Sequence, residues 1–363
     1  MQTTLWTKCL QIEKLGQPND VLILCTIPLN PKKWNENAAL IRWIASPINL
    51  LDLNIIKGKY EEINNLNNLP CIGGTEGVGL VERIGSNVQH LCVGDLVINI
   101  NYWLNNNQNK IELNNIWTEW DIIPSNLLIS IDKRINLASA ATLGIIPPIA
   151  WTLLNDFIKL EKGDWIVQNA ANSEIGKNII QLAKAFGYFT INLIEDREDL
   201  FSLKNELYSL GANKVFTEKE LFNEIINKKQ KQLLIRLALN NGNVETNSSY
   251  LSMTLGYNGV FVTFDGINNK LIKISSNSFI FNKITAYGFS LFNNLKENNQ
   301  QKIKEMFDQL QLFIIEGKLK EPKNKIIPLA RYKEGIENTL ESGIKQILMI
   351  SENVLNQKGE SKI

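Results

Sequence analysis

Hydrophobic positions in the middle of the chain follow the pattern of a strand, then of a helix, then of a second strand. Trp165–Val167 is a short apolar run, as found in strands that are buried on both faces. Tyr188–Ile194 is rich in β-branched and aromatic residues. Between them, apolar residues recur at helical spacing, namely Ile179, Ile180, Leu182, Ala183 and Phe186. We therefore predict a βαβ unit of a parallel sheet over residues 164–196, with its helix opened by Gly176 and ended by Gly187.

Strand and helix patterns continue to alternate after this unit, which indicates a doubly wound α/β sheet. The predicted strands are Lys214–Phe216, Leu233–Leu239, Val260–Phe264, Ile284–Phe289 and Lys345–Ile350. The predicted helices are Leu200–Leu210, Glu218–Lys228, Lys302–Glu316 and Tyr332–Leu340. A basic, proline-containing connection, GKLKEPKNKIIPL, is predicted between the last two helices.

The first part of the chain, from about Thr3 to Ile131, has short apolar runs separated by glycine and proline, as small, partly open β-barrels require. The predicted elements there are strands at Val21–Thr26, Leu40–Ala45 and Trp117–Ile123, a loop at Asn101–Asn115, and a helical turn that presents Tyr60 near its end. A helix pair interrupted by Pro147 and Pro148 leads into the βαβ unit.

Composition narrows the class of protein and its partners. With 363 residues, of which 44% are hydrophobic and 21% charged, the chain is expected to form two globular domains or one large one. The formal net charge of +1 and the lack of a membrane-length apolar run favour neither a nucleic-acid nor a membrane partner. The opening residues lack arginine and do not resemble a transit peptide.

Cysteine and histidine usage argues against a metal site. Cys9, Cys25, Cys71 and Cys92 lie far apart in the sequence without a CxxC pair, and we interpret them as reduced thiols of an intracellular protein. The single histidine, His90, stands in a polar, loop-like setting that is typical of a surface residue. We therefore predict that no zinc is bound.

The turn between Ala170 and Gly176 is the first candidate binding site. In βαβ units of this kind, backbone N–H groups and the positive end of the helix dipole hold the pyrophosphate of a dinucleotide. Only Gly176 of the usual glycine fingerprint is present, since Ser173, Glu174 and Ile175 precede it. From the turn alone, a dinucleotide site and a purely structural βαβ unit are about equally supported.

Six segments in order along the chain carry a more specific resemblance. They are SPINLLDLNIIKGKY, LPCIGGTEGVGLVERIGSNVQHLCVGDLVI, SAATLGIIPPIAWTLLNDF, VQNAANSEIGKNIIQLAKAFGYFTINLIEDRED, LGANKVFTEKEL and KQILMI. They resemble the mitochondrial trans-2-enoyl-thioester reductases, in the zinc-free, quinone-oxidoreductase-like branch of the medium-chain dehydrogenase/reductase superfamily. The resemblance implies a GroES-like, partly open β-barrel catalytic domain at 1–135, joined by 318–363. It implies a doubly wound Rossmann cofactor domain at 136–317.

The resemblance also implies a reaction, the NADPH-dependent reduction of the trans-2 double bond of an enoyl thioester on acyl carrier protein or coenzyme A. Hydride addition places negative charge on the thioester oxygen, and a proton must then reach the α-carbon. Tyr60, in KGKY, matches the family's proton-donor tyrosine, and the alternative is a partly buried loop tyrosine. Where zinc-dependent relatives carry Gly-His-Glu, this chain has Gly74-Thr75-Glu76. The resemblance further implies that the protein is a homodimer that takes part in mitochondrial fatty-acid synthesis in the matrix. The cytoplasm is the alternative location, because no transit peptide is visible.

The implied cofactor-binding residues are Asn169, Asn172, Ser173, Glu174, Ile175, Glu195, Asp196, Arg197, Phe264, Asp265, Gly266, Ile267, Phe289, Ser290, Leu291 and Lys345. At three of these positions this chain is acidic where the family is not. Glu174 stands at the helix N-terminus, where it would repel a pyrophosphate, and Asp265 adds a further negative charge. Glu195 stands where an acidic residue binds the ribose 2′-hydroxyl of NAD, and it would repel the 2′-phosphate of NADP. We therefore expect NADP(H), with NAD(H) as the alternative because of Glu195.

These departures leave two hypotheses of different class. The first is a working enoyl-thioester reductase with a weakened or altered cofactor preference. The second is a degenerate, catalytically weak or inactive member of the family that serves as a binding or structural protein. Retention of Tyr60 and Lys345 favours the enzyme.

Overall fold

The computed structural model describes residues 5–60, 68–104, 113–227, 234–243, 248–267, 271–291 and 300–351. The chain divides into two units. The first comprises Met1–Ile145, Leu295–Ile315 and Glu321–Ile363, and the second comprises Ile146–Asn294 and Glu316–Lys320. Within the described ranges, no helix is both long enough and apolar enough to cross a membrane.

Both units mix strands and helices. The strands are β1 (Trp6–Ile12), β2 (Leu22–Pro28), β3 (Ala38–Pro47), β4 (Cys71–Ile72), β5 (Val78–Ile84), β6 (Leu96–Asn99), β7 (Trp120–Pro124), β8 (Leu128–Ile131), β9 (Trp165–Gln168), β10 (Phe189–Leu193), β11 (Lys214–Phe216), β12 (Ile235–Asn241), β13 (Val260–Phe264), β14 (Thr285–Phe289), β15 (Asn324–Pro328) and β16 (Lys345–Met349). The α-helices are α1 (Pro18–Val21), α2 (Leu50–Ile56), α3 (Asn101–Leu104), α4 (Leu137–Ala141), α5 (Ile146–Asn155), α6 (Glu174–Phe186), α7 (Leu200–Leu210), α8 (Glu218–Leu221), α9 (Ser248–Thr254), α10 (Ser276–Phe281), α11 (Gln300–Ile315) and α12 (Tyr332–Glu341). A π-helical turn, Phe222–Asn227, continues α8.

The first unit is organised around β3. In its described part, one sheet has the order β2-β1-β4 and a larger sheet has the order β15-β16-β3-β5-β6-β8, with β7 also paired to β3. Strand β3 is antiparallel to β5, β7 and β16, and most of its side chains are buried. Short antiparallel strands of this kind agree with the predicted partly open barrel.

The second unit is a parallel sheet with helices on both faces. Among the described residues the strand order is β11-β10-β9-β12-β13-β14, and each neighbouring pair is parallel. The chain therefore winds outward in both directions from β9, as in dinucleotide-binding folds, and the order reverses between β9 and β12. Separate apolar clusters pack around Phe261 and around Leu207. The predicted doubly wound sheet is confirmed.

The βαβ unit at the centre of the sequence forms as predicted, with small shifts at its ends. Helix α6 begins at Glu174, two residues before Gly176, because Ser173 caps it. Ile179, Ile180 and Leu182 are fully buried, as their spacing indicates. Gly187 ends the helix with a φ of 83°, a left-handed conformation that favours glycine.

Pro147 and Pro148 do not interrupt a helix pair, so this prediction is wrong. Both prolines lie in the first turn of α5. Backbone N–H groups in a first turn have no intrahelical partner, and proline is tolerated there. The break between α4 and α5 falls before the prolines, at residues 142–145.

Other boundaries also change. Asn101–Leu104 is a helix rather than part of a loop, and residues 105–112 of that predicted loop lie outside the described residues. The predicted basic connection contains β15, which pairs with β16. Helix α11 belongs to the first unit, although 136–317 is the predicted cofactor domain. Lys228 and Leu233, at the ends of two predicted elements, lie outside the described residues.

Cys9 and Cys25 are neighbours in space, although their sequence positions suggest otherwise. They lie directly opposite one another on β1 and β2, and their Sγ atoms are 3.6 Å apart. All four cysteines are free thiols. Burial, together with the adjacent Cys25, raises the pKa of Cys9 to about 12. The Cys9 thiol is therefore protonated at neutral pH.

Candidate functional site

The turn that precedes α6 is packed closely against the start of that helix. Ala170 has a φ of 47°, in the left-handed region where a non-glycine residue is strained. The Ser173 hydroxyl accepts the Gly176 N–H at 3.1 Å. A Cβ on Gly176 would lie 2.6 Å from the Ala170 carbonyl oxygen. Gly176 therefore permits close packing of helix on turn, which is one role of the glycines in dinucleotide-binding turns.

Asparagine side chains connect the carboxyl ends of three adjacent strands in the second unit. Asn169, directly after β9, donates from Nδ2 to Asn240 Oδ1 at 2.9 Å, and its Oδ1 accepts the Asn241 N–H at 2.6 Å. Asn241, at the end of β12, donates from Nδ2 to Asp265 Oδ2 at 3.3 Å. This network lies where the strand order reverses, the usual place for ligands in open α/β sheets. Sequence reasoning missed Asn240 and Asn241, whose only signal is their position at the end of an apolar strand.

A cavity of about 590 Å³ lies beside the two outer strands β13 and β14. It brings together five of the predicted cofactor residues. Its lining consists of Phe261, Thr263, Phe264, Asp265, Gly266, Ile272, Ile274, Ala286, Tyr287, Gly288, Phe289 and Ser290. Phe264 and Phe289 are paired in register at the ends of their strands. Ile267 and Leu291, also predicted, follow these segments but are not part of the lining.

Asp265 is the most unusual residue of this cavity. It has a φ of 57°, in the left-handed region. Burial raises its pKa, while hydrogen bonds to Asn241 and Asn243 act in the opposite direction. Strained residues with perturbed pKa values are enriched at functional sites, which supports the choice of this edge as the binding region.

The acidic residues predicted near the cofactor lie at the same carboxyl edge. Glu195 and Arg197 follow β10 and are exposed, as is Asp196 between them. Arg197 forms an ion pair with Asp199, which is also exposed. Such an exposed pair contributes at most about 1 kcal/mol to stability. Arg197 can therefore leave Asp199 and bind a phosphate group instead at a small cost in free energy. Glu174 is half-buried as the first residue of α6.

The remaining predicted turn residues, Asn172, Ser173 and Ile175, are partly buried around that helix start. The edge therefore offers backbone N–H groups and a helix N-terminus, which suit a pyrophosphate. It also offers carboxylates, which oppose one. The fold and the turn fit a nicotinamide dinucleotide, and Glu174 and Glu195 are the features that weaken the fit.

Tyr60 lies in the first unit, four residues after the end of α2, and it is partly buried. Helix α2 begins after Asn49, whose backbone N–H donates to Asp52 Oδ2 at 2.8 Å. After the helix, Gly58 turns the chain with a φ of 73°. Tyr60 is thus presented at the end of a helical turn, as predicted.

A buried polar network adjoins the start of α2. Lys345, the first residue of β16, donates from Nζ to Asn49 Oδ1 at 2.7 Å. Asn49 Nδ2 donates to Glu76 Oε1 at 2.8 Å, and Glu76 Oε2 accepts the Ile145 N–H at 3.0 Å. Lys345 belongs to the first unit, whereas the other predicted cofactor residues belong to the second.

Two more titratable groups are buried in this region. Burial raises the pKa of Asp52 to about 6, although hydrogen bonds from Asn49 and Thr75 and the charge of Lys345 act in the opposite direction. Burial and the charge of Asp52 raise the pKa of Tyr102. Sequence reasoning did not identify Asn49 or Asp52, because both stand in a segment recognised only for the tyrosine that follows it.

The predicted absence of zinc stays a prediction. In the part of the chain that the structure describes, no group of three or more His, Cys, Asp or Glu side chains could hold a metal ion. His90 is exposed, and its Nε2 lies 2.9 Å from the Ser125 carbonyl oxygen. Thr75, at the position of the histidine in zinc-dependent relatives, is fully buried, and its carbonyl oxygen accepts Asn114 Nδ2 at 2.8 Å.

Comparison with known proteins shows which protein family this chain is similar to. The profile of the alcohol dehydrogenase GroES-like domain matches residues 35–118. The chain is 35% identical over 358 residues to a mitochondrial enoyl-[acyl-carrier-protein] reductase of Caenorhabditis elegans, covering 97% of this chain and 98% of that protein. It is 35% identical over 336 residues to the human enzyme of the same name, covering 92% and 86%.

Solved structures agree with this result. A mutant form of the enoyl thioester reductase from Candida tropicalis superposes with a TM-score of 0.80 at 25% identity, over 95% of this chain and 100% of that one. A GroES-like barrel joined to a Rossmann unit defines a medium-chain dehydrogenase/reductase, and the predicted fold class is confirmed. Within that class, the chain belongs to the family of the mitochondrial enoyl-[acyl-carrier-protein] reductases.

Proposed function

We propose that this protein reduces the trans-2 double bond of an enoyl thioester, carried on acyl carrier protein or coenzyme A, with NADPH as reductant. The observation that carries the proposal is the 35% identity to an enoyl-[acyl-carrier-protein] reductase over 97% of the chain. A solved complex with NADP and crotonyl-CoA, of the same fold at 24% identity, supports the choice of substrate and cofactor class.

The proposed chemistry assigns one step to Tyr60. A bound NADPH would supply hydride to the β-carbon of the enoyl thioester. Negative charge then develops on the thioester oxygen of the substrate, and the α-carbon must be protonated. Tyr60 is the proton donor that we propose, because it is a partly buried phenol at the end of a turn that Gly58 and α2 define.

The cofactor would be held at the carboxyl edge of the second unit. We propose that the turn from Asn169 to Ile175 receives the pyrophosphate, and that Glu195–Arg197 lies at the adenosine ribose. The cavity residues Phe264–Gly266 and Phe289–Ser290 would hold the nicotinamide half, and Lys345 stays a proposed cofactor residue. Arg197 favours the 2′-phosphate of NADPH, whereas Glu195 favours NADH, so the preference between them is expected to be modest.

The decisive assay is consumption of NADPH with crotonyl-CoA as substrate. Tyr60→Phe should lower kcat by about 10²-fold, the usual contribution of a positioned acid, while NADPH binding is unchanged. Tyr208→Phe is the matched control, since Tyr208 is exposed on α7, and it should keep parental turnover. Parental turnover in Tyr60→Phe would exclude this residue as the donor. A parent that neither turns over crotonyl-CoA nor binds NADPH or NADH would support the binding or structural alternative.

We also propose a homodimer that forms through β14. Among the described residues, β14 is an edge strand of the parallel sheet, and Thr285–Gly288 are exposed along it. Large apolar side chains are exposed on α10, the helix that precedes this strand in the chain, including Ile280 at 65% and Phe281 at 68%. An edge strand whose residues are exposed within the described part of the chain is suited to pair with a second copy about a two-fold axis.

Light scattering coupled to size exclusion tests this assembly. The parent should have the mass of a dimer, and Phe281→Lys should shift it toward the monomer. Phe201→Lys is the control, because Phe201 is 80% exposed on α7. This helix packs against β11, the strand at the opposite edge of the sheet from β14. A monomeric parent, or an equal effect of both variants, would contradict the proposed interface.

A mitochondrial location is proposed from the names of the relatives alone. Subcellular fractionation with an antibody to this protein is the direct test. The protein should sediment with mitochondrial marker enzymes, and recovery with cytoplasmic markers would favour the cytoplasmic alternative.

A further inference from the structure

Asp265 brings a carboxylate to the cavity beside β13 and β14. It follows β13 directly, and it lines the cavity together with the aromatic side chains of Phe264, Tyr287 and Phe289. In the part of the chain that the structure describes, no lysine or arginine forms an ion pair with Asp265. Within those ranges, the carboxylate is thus placed in an aromatic-walled cavity of about 590 Å³ without a paired cation.

The neighbouring asparagines hold Asp265 as an acceptor of hydrogen bonds. Asn241 Oδ1 accepts the Asn243 N–H at 2.9 Å, so the Nδ2 end of this amide faces Asp265 and donates to its Oδ2 at 3.3 Å. The backbone N–H of Asn241 is in turn bound by Asn169 Oδ1 at 2.6 Å. An ionised carboxylate can only accept hydrogen bonds. These contacts therefore suit the charged form of Asp265, whereas burial raises its pKa.

A carboxylate in this setting has a cost in free energy that a bound cation would remove. Removal from water disfavours the charged form, and hydrogen bonds from neutral amides offset only part of this cost. A positive group in the cavity would be attracted by the carboxylate, and the faces of aromatic rings attract cations as well. The lining therefore suits a flat cation better than a neutral or an anionic group.

We propose that Asp265 favours the oxidised form of the cofactor by attracting its positively charged nicotinamide ring. This inference rests on the proposed function. In the proposed reaction, a hydride and its electron pair pass from the cofactor to the β-carbon of the enoyl thioester, and the α-carbon takes a proton from Tyr60. NADPH, whose ring is neutral, thereby becomes NADP⁺, whose ring is a flat cation. A carboxylate beside the ring stabilises the charge that develops there, and it gives no such stabilisation to NADPH.

Asp265→Asn removes the charge and keeps the shape of the side chain. Its oxygen can still accept from Asn241, and asparagine tolerates the left-handed φ of 57° at this position. Asp265→Gly is a second uncharged variant, because glycine adopts this φ without strain and so protects the test against misfolding. Glu198→Gln is the matched control, since Glu198 is an exposed carboxylate after β10 that is not part of the cavity lining.

The measurement is the ratio of the dissociation constants of NADP⁺ and NADPH, obtained for each protein by isothermal titration calorimetry without turnover. In both Asp265 variants, the preference for NADP⁺ over NADPH should fall by about tenfold relative to the parent, because one charge interaction in a partly buried site is lost. Repulsion of the phosphate groups is the same for the two forms and cancels in the ratio. Glu198→Gln should therefore keep the parental ratio.

The outcomes separate this inference from the proposed function. If the parent turns over crotonyl-CoA with NADPH but the ratio is unchanged in both Asp265 variants, this carboxylate does not act on the ring, and the proposed function stands. An equal change of the ratio in Glu198→Gln would also overturn the inference, because the effect would then come from the overall charge of the edge. A parent that binds neither form of the cofactor and has no turnover overturns both the proposed function and this inference.

Discussion

Asp52→Asn should remove a pH dependence of stability that burial of this carboxyl creates. Asp52 is 2% exposed, and burial raises its pKa from 3.8 to about 6. Asparagine has nearly the same shape, and its oxygen can still accept the Asn49 N–H. The variant therefore removes the titration while it retains the hydrogen bond at the start of α2.

The direction and size of this effect on stability follow from the difference between the pKa of Asp52 in the unfolded chain and in the folded protein. Between pH 3.8 and about 6 the unfolded chain has lost the Asp52 proton while the folded protein still holds it. The contribution to stability is complete below pH 3.8 and is lost as the pH rises through about 6. Two pKa units correspond to about 3 kcal/mol, so the parent should lose about that much relative to Asp52→Asn between pH 4 and 7.5.

Urea denaturation of the parent and variant at several pH values measures this difference, with a fluorescence signal assigned to the first unit. The exposed Asp20 provides the control, since Asp20→Asn should follow the parent at every pH. A constant difference between the parent and Asp52→Asn across the range would refute the reasoning. It would mean that Lys345 and the hydrogen bonds compensate the burial of Asp52 completely.

Two further predictions concern the cofactor edge and the paired thiols. Glu195→Arg should tighten the binding of NADPH more than that of NADH, and Glu174→Gly should tighten the binding of both about equally. Fluorescence titration should show a gain in affinity of about tenfold for each repulsion of ~1.4 kcal/mol that is removed. An unchanged NADPH dissociation constant in Glu195→Arg would mean that this side chain does not face the ribose phosphate. A thiol oxidant such as diamide should join Cys9 to Cys25, whose sulfurs are 3.6 Å apart, with loss of two hydrogens by mass spectrometry and a gain of about 3 kcal/mol in unfolding free energy. Cys9→Ser should abolish both changes, and their persistence would identify another cysteine pair.

Local sequence patterns determined the second unit well. Strands β11 and β13 have the predicted bounds, and α7 does as well. The reason is that a buried parallel strand and an amphipathic helix each have a hydrophobic period that is complete within a few residues. Helix α6 and the turn before it could also be located from the sequence, because Gly176 and Gly187 stand where local geometry requires glycine. Resemblance to a family supplied the role of Tyr60, which no period indicates.

Tertiary structure alone decided which polar side chains meet. The hydrogen bond from Lys345 to Asn49 joins residues 296 positions apart, and the bonds from Asn169 reach Asn240 and Asn241 more than 70 positions away. The sulfur contact between Cys9 and Cys25 depends in turn on the register of two antiparallel strands. Hydrophobic periodicity specifies which face of an element is buried, but it carries no information on which polar group from a distant segment will be placed against it. Burial then makes such contacts obligatory, because a polar group removed from water without a partner is costly.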